Sequence, residues 1–341
     1  MSSHRGRQPG QEGSGAGLSG QDEHALRAAA GRAKALVIGA LNIDYIITAD
    51  RLPGDDGSVV ATSTCRPGGH AGNCAAALAR LGVHTDLMGA VGRDPDGASL
   101  LEELAGLGVG VGHVAVSGTP TGKVFIPTFP GHRFMLMDRG ANETVGSRQL
   151  ERVPLAEFDA VLVFDPPAQV LGALAEAVSP LSRRPVMLWN PGGIYSRPEY
   201  LHTARSDFDM LAINRDEKAS MLGGSHGALP PARDGHELIT TLGPGGSRLE
   251  AGASAVTAPA YAVQVTDLTG AGDSYCAAAV LGRLAGLPAM SRLRLANAVG
   301  GLATRGVGAR GSLPDLDEAL WCTRHQSVLA QTAGMEPPTP A

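Results

Sequence analysis

Short, continuous apolar runs that alternate with helical patterns constrain this 341-residue chain more than any other feature. KALVIGA (34–40), TDLMGAV (85–91), AVLVF (160–164), PVMLW (185–189), DMLAI (209–213) and HELITTL (236–242) do not alternate apolar with polar. Such strands are buried on both faces, as in a parallel sheet covered by helices. NCAAALARLG (73–82), ASLLEELAGLG (98–108) and PAQVLGALAEAV (167–178) supply helical patterns between them. The alternation predicts an α/β fold with right-handed βαβ crossovers and a mostly parallel central sheet flanked by helices. Aromatic residues are only 4%, so the core must be built from Ala, Val and Leu.

Two segments break the pattern. YIITADRLPGDDGSVVATST (45–64) and KVFIPTFPGHRFMLMD (123–138) read as strands joined by turns, the second a hairpin with Pro130-Gly131 at its tip. They predict a small antiparallel β lid, from about 45–66 and 113–140. A flap of this kind excludes water from a site or pairs with a second subunit, so a homodimer through the lid is expected as well. Residues 1–32 are rich in Gly, Ser, Gln and Arg, and 331–341 contain EPPTP. Both read as disordered tails around one domain at 33–330.

Composition removes several function classes. Net charge is −5 with no basic block, which argues against a nucleic-acid partner. No run of 18 apolar residues suggests a membrane span, and MSSHRGRQPGQEGSG lacks the apolar centre of a secretory signal. Cys65, Cys74, Cys276 and Cys322 form no C-x-x-C, which fits a reducing cytoplasm and neither a zinc site nor a disulfide framework.

The segment richest in chemistry is Val265-Thr266-Asp267-Leu268-Thr269-Gly270-Ala271-Gly272-Asp273, which opens an Ala-rich helix. Small residues at a helix N-terminus expose free N–H groups at the positive end of its dipole, so Gly270, Ala271 and Gly272 could form an anion hole. Asp273 is then either the base for an attacking hydroxyl or only a helix cap. Its place at the helix end favours the ionised form. Pro67-Gly68-Gly69-His70-Ala71-Gly72-Asn73 opens a second Ala-rich helix, with Asn73 able to donate and accept. Asn42 and Asp44 follow the first strand and share one side of an extended chain, or else make an Asx turn. Thr241-Leu242-Gly243-Pro244-Gly245-Gly246 can wrap a phosphate or make a tight turn. Asn214 and Glu217, three apart, suit indirect metal or phosphate contact, or an ordinary capping box. No G-x-x-x-x-G-K-[ST] occurs, so this is not a P-loop NTPase. Gly306-Val307-Gly308-Ala309-Arg310-Gly311 has dinucleotide spacing but follows a helix near the C-terminus, where that fingerprint does not belong.

In this order, from about 34 to 325, the segments resemble the ribokinase-like (PfkB) family of carbohydrate and nucleoside kinases. PGGHAGNCAAALARLG with GAVGRDPDG is one part of the likeness. VTDLTGAGDSY is the other, similar to the family's D-T-x-G-A-G-D except that Leu268 replaces Thr. The resemblance implies ATP-dependent, magnesium-assisted phosphorylation of a hydroxymethyl group of a small sugar or nucleoside. By position it implies Asp273 as base, Gly270 to Gly272 as anion hole, and Asn42, Asp44, Gly69 and Asn73 as substrate ligands, with Asp165 in FDPP a looser match. It further implies Asn214 and Glu217 for magnesium and phosphate, Thr241, Gly243 and Gly246 for the nucleotide, and Asn297 for adenine. Asp267, Thr269, Ala303, Gly308 and Ser312 match positions that hold a monovalent cation, potassium, in many members. His70 stands where ribokinases carry Lys, whereas Gly140-Ala141-Asn142 looks ribokinase-like. A nucleoside would need an apolar lid surface, for which Phe125, Phe129, Phe134 and Met135 are candidates. A non-catalytic sugar-binding regulator on the same fold and a nicotinamide oxidoreductase are the readings from other classes.

Overall fold

The computed structural model describes residues 17–223 and 234–328, and in it the six apolar runs are six neighbouring parallel strands. In chain order the strands are β1 (Lys34–Gly39), β2 (Asn42–Thr48), β3 (Thr62–Gly68), β4 (His84–Gly92), β5 (Gly110–Ser117), β6 (Gly122–Phe129) and β7 (His132–Arg133). They continue as β8 (Leu136–Asp138), β9 (Ala160–Phe164), β10 (Val186–Asn190), β11 (Met210–Asn214), β12 (Glu237–Thr241), β13 (Ser247–Ala251) and β14 (Ser254–Ala258). The main sheet runs β14-β13-β12-β11-β10-β9-β1-β4-β5, parallel from β12 to β5 and antiparallel at β13 and β14.

Successive side chains of a strand point to opposite faces, and here both faces are covered. Val37, Leu162, Leu188, Ala212 and Ile239 enter one core with helices His70–Arg80, Ala271–Leu284 and Ala289–Ala303. Ile38, Val163, Trp189, Ile213 and Leu238 enter a second core with helix Ala168–Val178. The first core's helices are lined with alanine (Ala75, Ala76, Ala277, Ala278), so their backbones come close despite the shortage of aromatics.

The second sheet is the lid, in order β3-β2-β6-β7 with β8 also on β6. Three pairings are antiparallel as expected; β2 with β6 is parallel, because the chain leaves the lid for the main sheet between them. The Pro130-Gly131 tip forms as read, with Gly131 at φ 74° in the position of the turn that needs a left-handed backbone. Residues 113–117, expected in the lid, belong instead to β5 at the edge of the main sheet, and the lid resumes at residue 122. Thr121 roots it: its N–H and hydroxyl both reach the Asp94 carboxylate, at 2.7 and 2.6 Å.

The N-terminal expectation is corrected too. Gly20–Ala30 is a helix with a Ser19/Asp22 capping box, and Leu18, Leu26, Ala29 and Ala30 are buried in the first core. Two leucines and a small-residue face suffice to dock it there. The remaining tail residues, 1–16 and 331–341, lie outside the described residues.

Candidate active site

Five polar residues stand at or just beyond the carboxyl ends of the parallel strands β1, β9, β10, β11 and β12. Asn42 follows β1, Asp165 follows β9, and Asn190, Asn214 and Thr241 end β10, β11 and β12. All five line a cleft of about 380 Å³ between the main sheet and the lid. This is where open α/β sheets bind ligands, at the carboxyl ends beside the reversal of strand order.

Gly270, Gly272 and Asp273 border the same cleft. Gly270 adopts a left-handed backbone, φ 78°, to turn the chain into the helix Ala271–Leu284. A Cβ on it would stand 2.6 Å from the Cβ of Ala309, so only glycine fits. The helix's i→i−4 ladder begins with Ser274 donating to Gly270, which leaves the N–H groups just ahead without an intrahelical partner. Asp273 makes no side-chain cap; its Oδ2 accepts from Asn73 Nδ2 at 2.8 Å. Burial raises the pKa of Asp273, with Asp165 adding to the rise while His70, Asn73 and Arg310 oppose it. The helix end favours the ionised form, but desolvation is the largest influence and works against it.

On the lid side, Asn42 Oδ1 accepts from Asn142 Nδ2 at 2.9 Å, and Asn142 also brackets the Leu41 backbone at 2.8 and 3.0 Å. Asp44 fits because Gly68 on the neighbouring strand has no side chain; a Cβ there would stand 2.3 Å from Asp44 Oδ1. Burial pushes Asp44 up to about 6, against the pull of His70 and Arg310. Asp165 sits at φ 46°, a strained backbone for a residue with a side chain. Its Oδ2 meets His70 Nδ1 at 2.9 Å, while its buried Oδ1 has no hydrogen-bond partner among the described residues. For His70, burial works against the cation, but Asp273 and Asp165 outweigh it and hold the pKa up to about 10. The ring is open to the cleft over 47% of its surface, where water screens part of that pull; the sign, a cation at neutral pH, stands. Gly69 also lines the cleft, turning at φ 89° into the helix that carries Asn73.

At the other end, Asn214 and Glu217 form the capping box, each side chain accepting from the other's N–H at 2.8 Å, and both still face the cleft. Burial raises Glu217. Thr241 lines the cleft, and Gly243 and Gly246 form the turn after it at φ 57° and 85°. Asn297 is not in the cleft lining. Its amide is used up inside the fold: Oδ1 accepts from Ser247, and Nδ2 donates to Ala258 and Pro259. It staples a helix to the β13–β14 edge.

Asp267 holds the anion-hole turn to the loop after helix Ala289–Ala303. Its Oδ1 accepts from the N–H and hydroxyl of Thr269, and its Oδ2 from Gly308 N–H at 2.8 Å. Burial pushes this carboxyl up, and those three bonds outweigh it and hold it below its ordinary value. Ala303 and Ser312 flank the same loop without lining the cleft. Among the described residues, no three His, Cys, Asp or Glu side chains gather to hold a metal ion. Sequence reasoning missed Asn142, Asn190 and Arg310. Asn142 was visible in Gly140-Ala141-Asn142, but its partners Leu41 and Asn42 lie 101 and 100 positions away along the chain.

Residues 32–316 match the pfkB family of carbohydrate kinases. The chain is 29% identical over 296 residues to the ribokinase of Bacillus subtilis, covering 83% of this chain and 96% of that one. It is 28% identical over 287 residues to the ATP-dependent ribose-1-phosphate kinase of Halopiger xanaduensis, with the same two coverages, 83% and 96%. Among solved structures, Arabidopsis thaliana ribokinase complexed with ribose and ATP superimposes with TM-score 0.73 at 26% identity, covering 86% of this chain and 99% of that one. The match spans both glycine-rich helix entries and the strand ends between them, and the chain belongs to the pfkB family of carbohydrate kinases.

Proposed function

We propose that the cleft transfers the γ-phosphoryl group of ATP to a hydroxymethyl group of a small sugar, with Asp273 as the base. The observation that carries this is the position of Asp273, at the mouth of an open helix N-terminus between two differently equipped ends of one cleft. Asn42, Asp44, Asp165 and Asn73 offer the acceptors and donors a polyol needs. Thr241, Asn214 and Glu217 lie on the nucleotide side. The relatives named ribokinase, and the neighbour bound to ribose and ATP, support a pentose.

In the reaction the sugar oxygen bonds to Pγ, the bond from Pγ to the β-phosphate oxygen breaks, and ADP leaves. The hydroxyl proton passes to the Asp273 carboxylate. A base with a raised pKa takes it more readily, provided it stays ionised, and the His70 cation helps keep it so. The free N–H groups at Gly272 and Asp273 face charge growing on the phosphoryl oxygens, where one such donor is worth about 3 kcal/mol. The lid excludes water that would otherwise take the phosphoryl group.

The donor set fits magnesium that would be held mainly by phosphates and water, with Glu217 the cleft carboxylate on the nucleotide side; bound there, the ion would supply charge neutralisation. Asp267, Thr269, Ala303, Gly308 and Ser312 offer oxygen donors alone, which suits potassium. The loop is already held by Asp267, so the ion would stiffen a turn that forms without it. Potassium should therefore raise turnover over sodium or a bulky organic cation, and equal rates in all three would remove that ion from the account. The four unpaired cysteines agree with a cytoplasmic setting.

A nucleoside is the second reading, because Val124, Ile126, Met135 and Met137 present an apolar lid surface to the cleft. Of the four lid residues considered for a base, Met135 lines the cleft; Phe125 stacks on Tyr45 and Phe134 on His132. ADP release measured with free and 1-phosphorylated pentoses, hexoses and nucleosides decides the matter. A pentose should win; release with none of them would favour a non-catalytic binding role.

A further inference from the structure

We infer that Arg310 is a positioning residue for the catalytic base, acting on Asp273 through Asn73 and joining that pair to the root of the lid; this rests on Asp273 being the base. The Arg310 side chain is 5% exposed. Its Nε donates to Asn73 Oδ1 at 3.1 Å, one terminal nitrogen donates to the Gly68 carbonyl at 3.1 Å, and the other pairs with Glu103. Asn73 then donates from Nδ2 to Asp273 Oδ2 at 2.8 Å.

An amide presents either an acceptor or a donor to a neighbour, depending on its flip. A guanidinium has only donors, so the Asn73 atom that meets it must be the oxygen, and the NH₂ must turn to Asp273. Arg310 thus sets which atom the base sees. Lysine, with a single nitrogen, lacks the planar fork that reaches three partners. The second glycine cluster is shaped for it: a Cβ on Gly72 would stand 2.4 Å from the guanidinium. Arg310 also belongs to the loop whose Gly308 N–H binds Asp267, and whose Ala309 abuts Gly270. One loop therefore braces both the base and the anion hole. The charged groups around Asp273 are His70, Arg310, Asp44, Asp165 and Glu217.

The test compares Arg310→Met combined with Glu103→Gln, so that no carboxylate is left unpaired, with Arg310→Lys, Asn73→Ala and Asp273→Asn. Turnover, KM for ATP, the pH profile and a melting curve are measured for each. Arg310→Met/Glu103→Gln should lose roughly 10²-fold in kcat, the cost of a misplaced reacting group, with KM for ATP near native. The acid limb of its pH profile should move up, since a cation that favours ionised Asp273 is gone. Added to Asn73→Ala, the Arg310 change should cost little more, because both act along one path. Arg310→Lys keeps the buried charge and carries the test if the double variant does not fold; it too should fall in kcat. A folded Arg310 variant with native kcat and profile, or full additivity with Asn73→Ala, overturns the inference while an inactive Asp273→Asn leaves the base reading intact. Near-native turnover of Asp273→Asn would remove both.

Discussion

Asp44 illustrates how a single residue trades stability for binding. Its carboxyl is pushed up to about 6 by burial, above its ordinary 3.8, so the fold favours the protonated form. Stability from this group is greatest below about 4 and is lost as pH rises through about 6. Asp44→Asn removes the loss. It should melt higher than the native protein at pH 8, with the advantage shrinking as pH falls from about 6 towards 4, and should raise KM for the sugar. An advantage of equal size at both ends of that range would contradict the burial argument. Asn73 and Asp273 were legible because each stands in a short glycine-rich run, and Asp44 because it follows the end of the first buried strand. Arg310 was not: it meets Asn73 across 237 positions, and no spacing rule reaches that far. The pairing of His70 with Asp165 was hidden for the same reason.

Among the elements, the six parallel strands were legible because burial on both faces writes a continuous apolar run. The helix Gly20–Ala30 was not, since its only large apolar residue is Leu26 and glycine-rich sequence precedes it. The usable signal was Ser19 followed three positions later by Asp22, a capping box. Leu26 is fully buried, so Leu26→Ala should cost roughly 2–5 kcal/mol, read as a lower melting temperature, and deletion of residues 1–30 should do at least as much. A native melting temperature for either would return this helix to the status of a dispensable tail. β5 was drawn into the lid because, at the sheet edge, its residues are mostly half-buried and the continuous run is lost. The hydrogen bonds of Asn297 were not legible, because a family match in sequence does not show what an amide touches. Asn297→Ala should cost roughly 1–3 kcal/mol through the lost buried hydrogen bonds, with KM for ATP near native. A raised KM for ATP with unchanged melting would favour the adenine contact.

For the whole molecule, the main sheet supplies a rigid floor of strand ends and the lid a separate, smaller sheet rooted at Thr121 and Asp94. β3 ends the lid sheet, and most of its residues are exposed. The cleft between sheet and lid brings residues from 42 to 276 together, and the account turns on what Asp273 does there. The direct measurement is sugar-dependent ADP release by Asp273→Asn beside the native protein, with a melting curve for both. Asn preserves size, and Asp273 makes no side-chain cap for the helix to lose, so the fold should survive. Turnover should fall roughly 10²–10⁴-fold, the worth of a general base, with KM for ATP near native. A well-folded Asp273→Asn protein turning over its sugar at close to the native rate would contradict the account.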